Sequence, residues 1–286
     1  MKPAPSAIEA RLCVIATALL FSTGGAVIKW VSLNGWQVAS LRAGIAALAL
    51  ALVGPTVFRS FQWRHVPVAA FYAATTILFS VSNKLTTAAN AVFLQDTAPV
   101  FLLLLGPLFL KEPIRRADIL FVAAVAFGMT LFFTAHEPVR ATAVNPMLGN
   151  ILAAISALTW ALTVAGLRWL ARDHGKAADG AMATVVLGNL FACAATLPMA
   201  LPAGSFRIGD MAAMLWLGVF QVALAYIFLT RGMRVVPAFE AGVILLLEPA
   251  LSPVWTWLVH GETPAPRSIA GGVIIIAATL VNSFRR

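Results

Sequence analysis

Three charged side chains, Arg42, Asp96 and Glu248, stand inside long apolar runs of this chain. A charge at membrane depth is costly unless it is paired or wetted, so each such residue has a partner, a ligand or a proton to carry. Asp96 lies three residues before Pro99, and Glu248 directly precedes Pro249. A proline has no backbone N–H, and its ring crowds the carbonyl four residues back. The carbonyls freed in this way are those of Gln95 and Leu245. Within a bilayer such groups must be satisfied by protein or by a water-filled cavity. The two prolines therefore read as a pair of hinges beside a solute path, with simple kinks as the alternative.

Asp96 lies about seven residues into its apolar run, roughly 10 Å deep at the rise of an α-helix. Arg42 lies at a similar depth in another run. One reading is an Arg42–Asp96 ion pair that locks two helices. The other is that Asp96 meets a substrate ammonium or cycles a proton. Glu248 has the same two kinds of reading: a hydrogen bond to a neighbouring helix beside the kink, or a proton or amine partner. Trp160 and Tyr226 fall at mid-depth, where anchoring at the membrane surface does not explain them. Phe79 is comparable, and Asn83, one helical turn further on, shares its face. Aromatic faces and a phenol hydroxyl suit an amphipathic organic solute.

The elements that hold these residues follow from composition. The chain has 286 residues, 60% hydrophobic and 11% charged. A soluble domain of this length could not hide so much apolar surface. Ten apolar blocks, at 12–33, 38–58, 66–86, 90–110, 117–134, 148–170, 182–201, 211–233, 239–260 and 269–284, are long enough for helices that cross a bilayer. They lack the period-two alternation of membrane strands. The expected fold is an all-α membrane protein of ten transmembrane helices. The first block is too long for a signal-peptide core and reads as an uncleaved first helix.

The net charge of +9 invites a nucleic-acid reading, but the basic residues sit at helix ends and in short loops, with no basic run. Fourteen of the 20 Lys and Arg fall in one set of alternate loops and five in the other, with Arg42 inside a helix. The positive-inside rule then puts both termini in the cytoplasm. Cys13 and Cys193 fall inside helices and imply neither a disulfide nor a metal site. The four histidines, at helix ends and in loops, are too scattered for a metal cluster.

The chain also repeats itself at an offset of 150 residues. Ala91 to Pro99 aligns with Ala241 to Pro249, and in the same register Glu112 falls on Glu262 and Lys84 on Arg234. A weaker match at another offset puts Phe21 on Trp160 and Lys29-Trp30 on Arg168-Trp169. Ten helices in two halves means five each. An odd number inverts the second half relative to the first, and such inverted repeats place a transporter's site where they meet. The units are 1–138 and 147–286. No loop is long enough to fold as a separate catalytic domain. Glu112 and Glu262 end helices, where a carboxylate opposes the macrodipole and needs some other partner.

The run from Thr86 to Pro99, followed by Lys111-Glu112-Pro113, resembles one repeat of the drug/metabolite transporter superfamily. A second run resembles it more closely: Ala225-Tyr226, Val236-Pro237-Ala238, Leu247-Glu248-Pro249 and Gly261-Glu262. The opening aromatics Phe21 and Trp160, and Arg42 after Leu41, fit the same family. The resemblance implies a ten-helix EamA-type fold, with a central cavity lined by the first, third, fourth, sixth, eighth and ninth helices. It implies export of amino acids or related metabolites, and it makes Glu112 and Glu262 markers of a turn and not of the site. This chain departs from symmetry at Gln95-Asp96-Thr97, which is more polar than Leu245-Leu246-Leu247.

The candidate substrate-binding residues are Phe21, Phe79, Asn83, Gln95, Asp96, Trp160, Tyr226 and Glu248, with Pro99 and Pro249 as hinges. No catalytic residue, metal or cofactor is expected. The sequence carries no HExxH, no G-x-S-x-G and no phosphate-binding glycine loop. The expected activity is secondary transport that exports neutral or aromatic amino acids or similar metabolites. The alternatives are a sugar-phosphate or nucleotide-sugar translocator, which would want several inward cations, and a proton-coupled drug exporter. The partners are a small-molecule substrate and the lipid bilayer of a bacterial-type inner membrane, with no nucleic acid. A monomer is compatible with the sequence. A membrane-impermeant amine reagent applied to intact cells is expected to spare Lys111 and Lys176; labelling of both from outside would overturn this topology.

Overall fold

The computed structural model describes residues 6–54, 61–105, 116–135, 142–174, 177–201, 207–233, 235–236, 241 and 244–284. Lys111, Glu112, Pro113, His136, Arg140, Lys176, Arg234, Pro237, Ala238 and Phe239 lie outside the described residues. The described residues form helices and connecting turns, with no strand among them. In chain order these are α1 (Ala7–Ser22), α2 (Gly24–Trp30), α3 (Gly35–Val53), α4 (His65–Leu85), α5 (Ala88–Gln95), α6 (Ala98–Leu105) and α7 (Arg116–Thr134). Then come α8 (Pro146–His174), α9 (Ala177–Ala200), α10 (Ile208–Leu215), a π-helical stretch (Trp216–Leu224), α11 (Ala225–Gly232), α12 (Leu247–His260) and α13 (Pro266–Phe284). Among the described residues, six stretches are long and apolar enough to cross a membrane: Ala7–Trp30, Gly35–Val53, His65–Leu85, Pro146–Leu167, Gly180–Ala200 and Ile208–Gly232. Ala88–Leu103, Ile119–Thr134 and Pro266–Val281 are shorter apolar helices.

Local sequence sets the starts. Ser6 caps α1, and Glu9 returns a carboxylate to the Ser6 N–H at 2.9 Å. Asn34 and Gln37 make the same reciprocal cap on α3. These boxes satisfy N–H groups that a helix leaves without partners at its start. α12 ends at Gly261, whose φ of 62° is the left-handed conformation that glycine adopts without strain. Large apolar side chains such as Leu48, Leu52, Phe127, Leu190 and Val273 remain exposed around the bundle. That is the surface a bilayer covers.

Two expected helices in the first half of the chain are interrupted. The apolar block at 12–33 is not one rod: α1 stops at Ser22 and α2 begins at Gly24. Ser22 and Thr23 turn their hydroxyls back onto the carbonyls of Leu19 and Leu20, at 2.8 and 2.7 Å, and so compete with the helix ladder. The block at 90–110 separates at Asp96–Thr97 into α5 and α6.

The helices pack as neighbours across the chain. α3 lies against α9, and α7 against α13. α4 lies against both α8 and α9, and α1 against α11. One core joins Phe93 and Leu94 of α5 to Phe121, Val125 and Phe132 of α7 and Ile275 of α13. The α7–α13 contact depends on glycine. A methyl group on Gly271 would sit 2.7 Å from the Gly128 carbonyl oxygen and 2.9 Å from the Phe132 ring. Small residues of this kind let membrane helices approach backbone to backbone. Gly271→Leu is therefore expected to destabilise the protein by about 1–3 kcal/mol through overpacking, read as a lower Tm of the detergent-solubilised protein. Val273→Leu, on the exposed face, is expected to leave Tm unchanged.

Candidate functional site

The fourth apolar block breaks where its carboxylate stands. Thr97 donates its hydroxyl to the Leu94 carbonyl at 2.7 Å and its N–H to the same oxygen at 3.2 Å. The Val100 N–H then starts the next turn on the Thr97 carbonyl, at 2.9 Å. Pro99 brings no N–H to the Gln95 carbonyl. The ninth block is interrupted at the matching place: residues 244–245 are helical, 246 is a turn, and α12 starts at Leu247. Position 246 is 150 residues from Asp96, as Pro249 is from Pro99. Glu248 thereby falls in the first turn of α12, where a carboxylate complements the positive end of the helix dipole.

Both breaks face one cavity of about 360 Å³. Five aromatic side chains line it: Phe21, Tyr72, Phe79, Trp160 and Tyr226. Tyr226 is held edge-on by Phe21 at 5.6 Å and by Tyr72 at 5.8 Å. The Tyr72 hydroxyl in turn accepts the Asn189 amide at 3.2 Å. Arg42, Asp96 and Glu248 also line the cavity, together with Thr75, Thr76, Gln95 and Gln221. One guanidinium thus shares an aromatic enclosure with two carboxylates.

Arg42 and Asp96 do not form the ion pair that their equal depth suggests, among the described residues. The Arg42 guanidinium lies over the Phe79 ring, 5.9 Å from its centre, and its Nη1 donates to the Ser80 hydroxyl at 3.3 Å. Its Nε and the Asp96 Oδ2 are both buried without a hydrogen-bond partner. Asp96 stands at the C-cap of α5, where the helix ends. Glu248 is within electrostatic reach of Arg42. The charged groups are therefore held close to one another, with polar atoms left over.

Of the residues singled out from sequence, Phe21, Phe79, Gln95, Asp96, Trp160, Tyr226, Glu248 and Pro99 lie together on the cavity. Pro249 is buried beside it, in the first turn of α12. Asn83 lies outside the lining: it is fully buried, and its amide donates to the Phe79 carbonyl at 2.9 Å. Tyr72, Thr75, Thr76 and Gln221 were not singled out. The first three form a polar stripe with Phe79 along α4, at spacings of three, four and seven, and that stripe was legible. Gln221 is placed by the π-helical stretch, whose wider winding no residue announces. Trp255 turns inward and donates to Ser22 at 2.9 Å. Trp216 holds Thr23 in the same way at 3.1 Å, so the break between α1 and α2 is pinned from two sides.

The end of the bundle near the start of α5 is closed by a second polar cluster. Lys29 donates to the carbonyls of Thr86, at 2.7 Å, and of Thr142, and lies 3.6 Å from Glu262. Glu262 accepts the first N–H of α5, from Ala88, at 3.2 Å. The carboxylate at the end of α12 thus finds its partners on α2 and α5. No group of three metal-ligating side chains occurs among the described residues.

The EamA-like transporter family matches the chain twice, at residues 9–134 and 147–284. The chain is 25% identical to the pseudopaline exporter CntI of Pseudomonas aeruginosa, over 95% of each chain. It is 25% identical to the threonine/homoserine exporter RhtA of Escherichia coli, over 85% of this chain and 80% of that one. A solved crystal structure shares the fold with a TM-score of 0.65 at 18% identity, covering 98% of this chain and 99% of the other.

Proposed function

Starting from a chain that belongs to the EamA-like transporter family, we propose that it exports small amphipathic zwitterions, neutral or aromatic amino acids first among them. It is a membrane transporter and not an enzyme. The observation that carries the substrate reading is the joint presence of Arg42, Asp96 and Glu248 in one aromatic cavity. A zwitterion brings a carboxylate for the guanidinium and an ammonium for the carboxylates, and the rings receive its side chain. A sugar phosphate or nucleotide sugar would meet two carboxylates and one guanidinium, which disfavours it. RhtA, a relative named for threonine and homoserine, supports the amino-acid class.

The path is read as alternating access between two inverted repeats, 1–138 and 147–286. Joining the halves of each broken helix gives ten crossings, with α1–α2, α5–α6 and α10–α11 counted as one each and residues 244–246 joined to α12. The second crossing packs on the seventh, and the fifth on the tenth. The third lies on the sixth as the eighth lies on the first. Exchanging each crossing for the one five further on carries these pairings into themselves, which supports the repeat. With both termini cytoplasmic, the Lys29–Glu262 cluster is external. The cavity reaches toward the opposite end, where Leu229 and Thr279 lie near the ends of α11 and α13. The membrane is of the bacterial inner type, and one copy suffices for the path. The two carboxylates also favour a version in which a proton is exchanged for the substrate.

Proteoliposomes with a panel of labelled amino acids, with and without a proton gradient, test this reading. Uptake of at least one neutral or aromatic amino acid is expected. Failure of the whole panel, with uptake of a phosphorylated sugar, would overturn it. Asp96→Asn is expected to cut transport about 10–100-fold, the loss of one charge-assisted contact, while protein level and Tm hold because no ion pair with Arg42 is lost. Collapse of the folded protein would assign Asp96 to structure instead. Tyr226→Phe, which keeps the ring contacts, is expected to weaken transport less than Tyr226→Ala.

A further inference from the structure

From Gln221 on the cavity wall toward the Lys29–Glu262 cluster runs a layer of buried polar atoms without partners. The Asn83 Oδ1, Ser252 Oγ and Gln221 Oε1 are buried and make no hydrogen bond. Asn83 is 0%, Ser252 1% and Gln221 3% exposed. They come from α4, α12 and the π-helical stretch, three separate elements. All converge on the glycine pair that opens α2. A methyl group on Gly25 would sit 3.3 Å from both the Asn83 Oδ1 and the Ser252 Oγ, and one on Gly24 would sit 2.9 Å from the Gln221 Nε2. The same methyl on Gly25 would sit 2.8 Å from the Ala88 Cβ, at the start of α5. Here α2 is pressed against α5 and the polar layer, and glycine is what permits the approach.

Buried polar atoms without partners are costly, and a protein keeps them where another state satisfies them. Directly beyond the layer, Lys29 and Glu262 tie α2, the start of α5 and the turn after α12 into one closed cluster. Separating α2 from α5 and α12 would break that pair, and it would open the polar layer to the cavity on one side and to solvent on the other.

We propose that the Lys29–Glu262 pair and the Gly25–Ala88 contact form the outer seal of the transporter. The seal covers a transit site of Asn83, Ser252 and Gln221, whose oxygens accept hydrogen bonds from the substrate's ammonium when it opens. The inference rests on the transport reading above and adds a second site to it. It gives Asn83 a role at this transit site, since it does not line the cavity. Glu262 holds the seal and also caps α5, whose other end carries Asp96. A single eight-residue helix therefore links the seal to the cavity.

The test uses thiol accessibility. In a background with Cys13 and Cys193 replaced by alanine, Ser252→Cys is introduced and probed in intact cells with a membrane-impermeant methanethiosulfonate. Val144→Cys, exposed beside Thr142 at the same end, is the control. Val144→Cys is expected to react with or without the seal. Ser252→Cys is expected to react slowly in the otherwise intact protein, and at least about 10-fold faster when Glu262→Gln or Gly25→Ala is added. The second variant leaves the ion pair in place and blocks closure by size, so the test survives if Glu262→Gln fails to fold. An unchanged Ser252→Cys rate in both variants, with Val144→Cys reactive, would overturn the seal and leave the transport reading standing. A Val144→Cys that is silent from outside but reactive in inverted vesicles would overturn the topology, and the outer seal with it.

Discussion

The bilayer offers backbone amides no hydrogen bonds, and the rest of this structure depends on that constraint. It makes every crossing a helix, and it confines departures from the helix to places where protein or a wetted interior can answer the freed groups. Among the described residues the chain's apolar blocks depart at Ser22–Thr23, at Asp96–Thr97, at residue 246 and along Trp216–Leu224. All four departures lie at the cavity or at the polar layer above it. Hydroxyls of Ser22, Thr23 and Thr97 satisfy carbonyls at the breaks, and tryptophans from neighbouring helices hold two of those hydroxyls. Irregular backbone and functional side chains therefore occupy the same narrow zone.

Charge follows the same economy. The buried charges singled out here fall into two groups. Arg42, Asp96 and Glu248 face a shared interior with polar atoms unspent. Lys29 and Glu262 are tied to each other, to two carbonyls and to a helix-opening N–H. The first group is arranged to receive something. The second is arranged to hold elements together. A buried pair contributes little net stability over an apolar substitute, but breaking it is costly. That combination suits a contact that must be either fully made or fully given up.

Much of this was legible in the sequence because the signals are local or periodic. The 150-residue offset marked both break points, since Pro99 and Pro249 recur in register. Trp160 and Tyr226 stood out as aromatics too deep to be surface anchors, and Phe21 through the family resemblance. What stayed hidden depends on distance along the chain. Glu262 meets Lys29 across 233 positions, and only the folded bundle reveals that a residue marking a turn also caps a helix of the other half. The Arg42–Asp96 pairing failed for a related reason: equal depth says nothing about the direction a side chain takes once its helix ends. Gln221 was missed because winding is a property of the backbone, and no residue in Trp216–Leu224 is diagnostic of it.

That wider winding has a consequence of its own. A π-helical turn takes up more residues than an α-turn over the same height, so the Ile208–Gly232 span carries surplus residues without growing longer. Directly downstream of the π-helical stretch, Tyr226 of α11 lines the cavity. A residue gained or lost within this stretch changes the register of the side chains that follow it, Tyr226 among them.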